Sequence, residues 1–85
     1  MVEFTHVIQS RAGLHARPVA EIGSFAGSYE GKITVALSGV EVAATDIMGL
    51  MSLNASQGDT LHITVEGPEE EDAAVRLRTT LAACL

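Results

Sequence analysis

The chain has 85 residues, 47% of them hydrophobic and 4% aromatic, which is enough for one small domain with an aliphatic core. The 11 acidic and 5 basic residues give a net charge of −6, which argues against non-specific nucleic-acid binding and against a basic membrane-binding patch. The single cysteine, Cys84, has no partner for an internal disulfide and no companion at a zinc spacing. We expect one domain over residues 1–85, with no metal and no cofactor.

The N-terminal residues MVEFTHVIQS alternate apolar and polar side chains, whereas a signal peptide would carry a continuous apolar run. No segment of the chain approaches the roughly 20 apolar residues that are needed to cross a bilayer. We therefore expect a cytoplasmic protein that does not insert directly into a membrane.

The first predicted strand covers residues 2–8, where the alternation points His6 inward as a hydrogen-bonded core histidine. A loop containing Gly13 leads to the first predicted helix. Pro18 suits the first turn of that helix, because an N–H at this position has no intrahelical acceptor. The apolar stripe of the helix is formed by four residues at three- and four-residue steps: Val19, Ile22, Ala26 and Tyr29.

Residues 33–37 and 40–42 alternate again and flank Ser38-Gly39, a pair typical of a tight hairpin turn. Asp46 is a good N-cap for a short second helix over residues 47–53. Asn54 tolerates the left-handed conformation that often ends a helix.

The fourth predicted strand covers residues 61–65 and follows a turn at Gly58. Gly67-Pro68 then precedes the acidic run 69–72, which suits the first turn of a final helix because carboxylates interact favourably with the positive end of the helix dipole. The apolar stripe of that helix is formed by Ala74, Leu77, Leu81 and Cys84.

The order β-α-β-β-α-β-α indicates an α+β fold, in which one mostly antiparallel sheet of four strands is covered on one face by three helices. Polar residues at the outward positions of the strands predict that the other face lies in water. These residues are Thr34, Thr60, His62, Thr64 and Glu66.

The segment Gly-Leu-His-Ala-Arg-Pro, residues 13–18, places His15 directly before the first helix. Free backbone N–H groups at the helix start, those of Ala16 and Arg17, form an anion site with the positive end of the dipole. Arg17 adds a guanidinium suited to phosphate oxygens, and a neutral imidazole nitrogen is a nucleophile. The spacing predicts that His15 accepts a phosphoryl group and that Arg17 stabilises it, rather than that both are merely solvated surface residues.

This hexapeptide resembles the active-site signature of the HPr family, the phosphocarriers of the phosphoenolpyruvate-dependent sugar phosphotransferase system. Residues 46–53, Asp-Ile-Met-Gly-Leu-Met-Ser-Leu, resemble the family's second-helix motif, and the resemblance spans essentially the whole chain. It implies an open-faced β-sandwich that acts as a monomeric carrier and not as an enzyme. It also implies that His15 receives phosphate on Nδ1 (pros-phosphohistidine) from enzyme I and donates it to the IIA domains of sugar permeases.

The short second helix has an apolar outward face of the kind that docks several partners, because methionine adapts its shape cheaply. Leu50 and Leu53 take the opposite, inward face of the helix. We expect a shallow apolar collar around His15, although core packing is an alternative role for each methionine. The predicted partner-binding residues are Ala16, Ala20, Ile47, Met48 and Met51.

Asp46 stands where many relatives from Gram-positive bacteria carry a serine that a regulatory kinase phosphorylates. Its carboxylate has about one negative charge, against roughly 1.5 to 2 for phosphoserine, so it either partly mimics the modified state or only caps the helix. The family also tends to place lysines near the active site, where this chain has Ser24 and Gly27. These departures leave open a carrier of a nitrogen-related or other regulatory phosphotransfer branch. A ligand-binding regulatory module would leave residues 15–18 unexplained.

Overall fold

A computed structural model describes residues 1–85 and has the predicted element order β-α-β-β-α-β-α. The strands are β1 (Val2–Val7), β2 (Lys32–Leu37), β3 (Val40–Ala43) and β4 (Thr60–Glu66). The helices are α1 (Ala16–Ser28), α2 (Ile47–Ser52) and α3 (Glu70–Cys84). None of these helices combines the length and the hydrophobicity that a transmembrane segment requires.

The four strands form one antiparallel sheet in the order β1-β4-β2-β3. β4 is central and pairs with β1 from Val2↔Val65 to Val7↔Thr60. β2 and β3 form the predicted hairpin, in which Ser38 (φ 51°) and Gly39 (φ 84°) are both left-handed. Two central residues with positive φ match the twist of the strands that they join, which explains why the turn needs only two residues.

The core lies between the sheet and the three helices and contains 18 buried residues. Alternate residues of β2 and β4 face it, and each helix adds residues of its predicted stripe. The largest of these side chains each stabilise the fold by about 1.5–3 kcal/mol when removed from water. They are Ile8, Val19, Ile22, Val35, Leu50, Leu61, Ile63, Val65, Leu77 and Leu81. Tyr29, predicted as the last stripe residue of α1, instead lies past the helix end as its C-cap and is half-buried.

The opposite face of the sheet is open to water, which confirms the open-faced sandwich. Thr60, His62 and Glu66 are exposed along β4, and Thr64 on the same strand is half-buried. The buried residues of β2 and β4 point to the other face, which the three helices cover.

The bounds of α2 and α3 differ from those predicted from the sequence. α2 ends at Ser52 and not at residue 53, because the chain turns left-handed at Asn54 (φ 52°) and Leu53 serves as the C-cap. Glu69 lies before α3 as its N-cap, also with a left-handed backbone (φ 49°), so the acidic first turn consists of residues 70–72. Asn54 has the left-handed conformation that commonly follows the end of a helix, whereas Glu69 differs from the extended N-caps of α1 and α2.

His6 points inward from β1, as predicted, and is half-buried. The expected hydrogen bonding is wrong for its Nε2, which is out of contact with water and has no partner. Burial lowers the pKa of the ring because the charged form is poorly solvated there, and the nearby backbone of Leu85 opposes this shift without cancelling it. The lowered pKa favours the neutral form of this histidine near pH 7.

Candidate functional site

The loop before α1 is fixed by its backbone. The N–H of Leu14 donates to the carbonyl oxygen of Ala55 at 2.9 Å, and the N–H of Gly58 donates to that of Ile8 at 2.9 Å. Gly13 has φ +66°, and a Cβ at this position would collide with the carbonyl oxygen of Ala55. Only glycine fits both requirements, so the residue preceding Leu14-His15 is a structural necessity for presenting the histidine.

The structure places His15 at the N-cap of α1, where the sequence predicts it. Its backbone N–H donates to the carbonyl oxygen of Gly13 at 3.1 Å. Its own carbonyl oxygen accepts the first hydrogen bond of the helix from the N–H of Val19 at 3.1 Å. The side chain makes no capping hydrogen bond, and the residue is only partly buried. The backbone therefore holds the residue while the imidazole stays free to react.

The first turn of α1 leaves two amides without an intrahelical acceptor. Helical bonding begins with the N–H of Val19, and Pro18 has no N–H. The unbonded donors of this turn are thus those of Ala16 and Arg17. These two donors and the positive end of the helix dipole are the groups that can interact with an anion at the start of α1.

Arg17 is exposed and belongs to neither of the two salt bridges of the structure, Met1–Glu70 and Arg76–Asp72. Its guanidinium also makes no hydrogen bond to a protein atom. With His15 it lines a groove of about 560 Å³. The cation is therefore available for an anion on the histidine.

This groove lies between the start of α1 and the last turns of α3. Glu21 joins the α1 wall, and four residues of α3 form the other wall: Thr79, Thr80, Ala83 and Cys84. None of these five residues was predicted from the sequence to be part of the site. Glu21 could have been predicted, because it lies four residues after Arg17 and therefore on the same helix face. The residues of the α3 wall could not, because only tertiary packing brings them to the groove. Burial raises the pKa of the Cys84 thiol and Glu21 raises it further, so this sulfur stays protonated.

The outward residues of α2 face solvent, as predicted: Ile47 is 45% exposed, Met48 80% and Met51 39%. Leu50 is fully buried and Leu53 half-buried, so the opposite face of α2 packs on the core. The alternative that Met48 and Met51 fill the core is therefore wrong. Their exposure leaves an apolar surface that nothing in the chain covers.

α1 extends this surface to the histidine. Ala16 and Ala20 are exposed, and Gly23 continues the same helix face. A Cβ at Gly23 would come within 2.7 Å of Cδ1 of Ile47, which shows how closely α2 approaches α1 here. We call the surface formed by Ala16, Ala20, Ile47, Met48 and Met51 the apolar collar. His15 thus has the apolar collar on one side and the polar groove on the other.

Asp46 is the N-cap of α2, as predicted, and its Oδ1 accepts a hydrogen bond from the N–H of Gly49 at 3.0 Å. The residue is exposed, so its carboxylate also presents a negative charge at the end of the apolar collar next to Ile47. The cap is thus established, and the charge remains available to a partner.

Comparisons with known proteins point to one family. A family model described as the PTS HPr component phosphorylation site matches residues 2–83. The phosphocarrier protein HPr of Treponema pallidum is 41% identical over 70 residues, which cover 82% of this chain and 80% of the relative. A crystal structure of HPr from Thermoanaerobacter tengcongensis superimposes with a TM-score of 0.90 at 37% identity, covering 98% of this chain and 93% of that one. A structure of an HPr dimer from the same organism has a TM-score of 0.75 at 37% identity, covering 98% and 95%.

Proposed function

Since the chain belongs to the HPr family, the phosphocarriers of the phosphotransferase system, we propose that His15 accepts a phosphoryl group from enzyme I and donates it to the IIA domains of sugar permeases. One observation supports the choice of residues: the partly exposed imidazole of His15, at the start of α1, lines the same groove as the unpaired guanidinium of Arg17. The protein is a carrier and not a catalytic enzyme, so the remaining groups needed for transfer come from its partners.

The reaction forms one bond and breaks one. The lone pair of the unprotonated Nδ1 of His15 attacks the phosphorus of the donor, and an N–P bond forms (pros-phosphohistidine). The bond between phosphorus and the leaving atom of the donor breaks, and its electron pair stays on the donor. The other ring nitrogen keeps its proton throughout, so no base is required in the carrier. In donation, a nucleophile of the next protein attacks the phosphorus, the N–P bond breaks, and its electron pair returns to Nδ1 of His15.

Arg17 and the two free amides stabilise the phosphoryl oxygens during both steps. The guanidinium supplies a permanent positive charge and several donors, and the amides of Ala16 and Arg17 point along the helix axis from a rigid start. No reorganisation of the backbone is needed, because the first turn is already formed around His15.

The apolar collar is the proposed partner surface for both enzyme I and the IIA domains. It adjoins His15, so a partner that covers it places its own phosphoryl site against the imidazole. Methionine side chains can adapt to partners of different shape, which suits a carrier that must bind each of them briefly. We propose that the protein works as a monomer in the cytoplasm.

The test incubates the purified protein with phosphoenolpyruvate and the enzyme I encoded in the same genome. We expect stoichiometric, acid-labile labelling of the wild type and none of His15→Ala. The substitution should leave the fold intact, since the His15 side chain makes no capping hydrogen bond. His62→Ala is the matched control, because this histidine lies exposed on the open sheet face and should keep full labelling. Label on any other residue of the His15 variant would contradict the assignment.

A second candidate is a carrier of the nitrogen-related or another regulatory branch, and Asp46 in place of the kinase-target serine favours it. The labelled protein distinguishes the two when it is offered IIA domains of a sugar permease and of the nitrogen branch in parallel. Faster transfer to the sugar IIA domain supports the first assignment, and faster transfer to the other supports the second.

A further inference from the structure

We propose that Glu21 is a positioning residue for phosphoryl transfer. Its carboxylate offsets the charge of Arg17 in the groove beside His15, which keeps the phosphoryl group weakly held and ready to leave. The proposal rests on the proposed function of His15 as the acceptor. It concerns the strength with which this site holds the phosphoryl group.

The fixed charges of the groove come from two residues, Arg17 and Glu21. The other lining residues, apart from His15, are uncharged: Pro18, Thr79, Thr80, Ala83 and Cys84. The Cys84 thiol adds no charge, because burial keeps it protonated. Before a phosphoryl group arrives, the charges of Arg17 and Glu21 therefore sum to zero.

The α3 wall of the groove offers the phosphoryl group no free hydroxyl donor. The hydroxyl of Thr79 donates to the backbone carbonyl oxygen of Val75 at 3.1 Å. The hydroxyl of Thr80 donates to the backbone carbonyl oxygen of Arg76 at 3.1 Å. Each hydroxyl has one proton, which these bonds within α3 already use. The hold on the phosphoryl group thus comes from Arg17 and the helix-start amides.

Glu21 follows Arg17 by one helical turn, yet the two side chains form no salt bridge. A cation that precedes an anion by four residues is the less favourable order for such a pair on a helix. Arg17 is therefore free to bind a phosphoryl group, while the carboxylate remains close enough to act on the same groove. Their opposite effects on the pKa of Cys84, raised by Glu21 and lowered by Arg17, place both charges near this wall.

Phosphorylation brings about two negative charges to His15. Glu21 repels these charges, which raises the free energy of the phosphorylated carrier. The helix rise from residue 15 to residue 21 is about 9 Å. At that separation, with screening by salt, one carboxylate should change the phosphorylation equilibrium by about twofold to fivefold.

The experiment measures the phosphoryl-transfer potential of the carrier. Wild type and variants are equilibrated with catalytic enzyme I at a series of pyruvate-to-phosphoenolpyruvate ratios, and the phosphorylated fraction is read on native gels. We expect Glu21→Gln to be half phosphorylated (the midpoint) at a pyruvate-to-phosphoenolpyruvate ratio about twofold to fivefold higher than the wild type. High salt should reduce this shift. Donation from Glu21→Gln to a IIA domain should slow correspondingly.

Two matched variants complete the test. Glu21→Asp keeps the charge and should remain near the wild-type midpoint. Glu41→Gln removes the same charge from the exposed strand β3, away from the groove, and should also leave the midpoint unchanged. The proposal is overturned if Glu21→Gln behaves like Glu41→Gln, or if Glu21→Asp shifts as far as Glu21→Gln. A wild-type protein that enzyme I does not label contradicts the proposed function itself, which is a different result.

Discussion

Asp46 shows how one side chain can serve the fold and meet a partner at the same time. Its Oδ1 accepts the N–H of Gly49 at 3.0 Å, a bond that satisfies one of the free donors at the start of α2. The rest of the carboxylate faces water next to Ile47, within reach of any protein that covers the apolar collar. The capping role is thus fixed by geometry, and the effect of the charge is a matter of docking kinetics.

We propose that the Asp46 charge acts as a permanent partial mimic of a phosphorylated serine. Asp46→Ser should then raise the association rate with enzyme I by about threefold at low salt, because one repulsive charge at the rim is removed. The gain should shrink as salt screens the interaction. The melting temperature should hardly change, since serine and aspartate are comparable N-caps. Stopped-flow or single-turnover phosphotransfer measures the association rates of the wild type and the variant at low and at high salt.

Asp46→Asn separates charge from shape, because asparagine also caps well and carries no charge. It should reproduce the faster association of the serine variant. Equal association rates for the wild type and both variants at low salt would show that Asp46 is a cap and nothing more.

At the scale of elements, α2 is too short to be stable by itself. It has six residues, and isolated helices of that length do not form in water. Its stability comes from the Asp46 cap on one side and from Leu50, which is fully buried, on the other. This division leaves much of the outward face in solvent, where its residues are accessible to a partner.

Met51→Asp should therefore reduce phosphotransfer far more than it reduces stability. We expect a loss of about tenfold or more in transfer, since a charge would be buried against the partner. The free energy of unfolding should fall by about 1 kcal/mol or less, as is usual for an exposed position. Transfer kinetics and urea unfolding measure the two effects.

Val75→Asp is the control, because Val75 is a 62% exposed apolar residue of α3 that lies outside the apolar collar. It should leave transfer unchanged. If Met51→Asp lost stability in proportion to transfer, Met51 would belong to the core and the apolar collar would be reduced to α1 and the first turn of α2.

The whole molecule depends on one core between the sheet and the helices, and His6 is the titratable group that borders it from β1. Its pKa is lowered by burial, so the folded protein resists the proton that the unfolded chain accepts. The unfolded ring titrates near the ordinary value of about 6.5. As the pH falls below that value, the unfolded state binds more protons and the free energy of unfolding decreases.

Urea unfolding at a series of values from about pH 7.5 to pH 5 should show this decrease in the wild type. The loss should begin near the unfolded pKa and level off once the pH lies below the lowered folded pKa. His6→Leu should flatten the profile in this window, where carboxylates remain ionised. His62→Gln, a change on the open face, should keep the wild-type slope. A wild-type profile that His6→Leu leaves unaltered would assign the pH dependence to other groups.

The sequence by itself determined the order of the elements, the faces of the strands and the start of α1. These depend on short-range rules: alternation in β4, the i, i+4 stripe of α1, the positive φ at Gly39, and the proline that cannot donate at the first turn. The outward face of α2 also followed from local periodicity, because Leu50 and Met51 lie on different sides of any helix. The position of the proposed site residues, His15 and Arg17, at the start of α1 could be predicted for the same reason.

Only the tertiary structure decided what lies across from His15. Thr80 and Cys84 are distant from it in sequence and reach the groove because α3 packs beside α1. Two further features depend on packing in the same way. His6 Nε2 has no hydrogen-bond partner, and Glu69 has a left-handed backbone. Local periodicity assigns a residue to a face, but the packing of helices and strands that are far apart in sequence decides what that face meets.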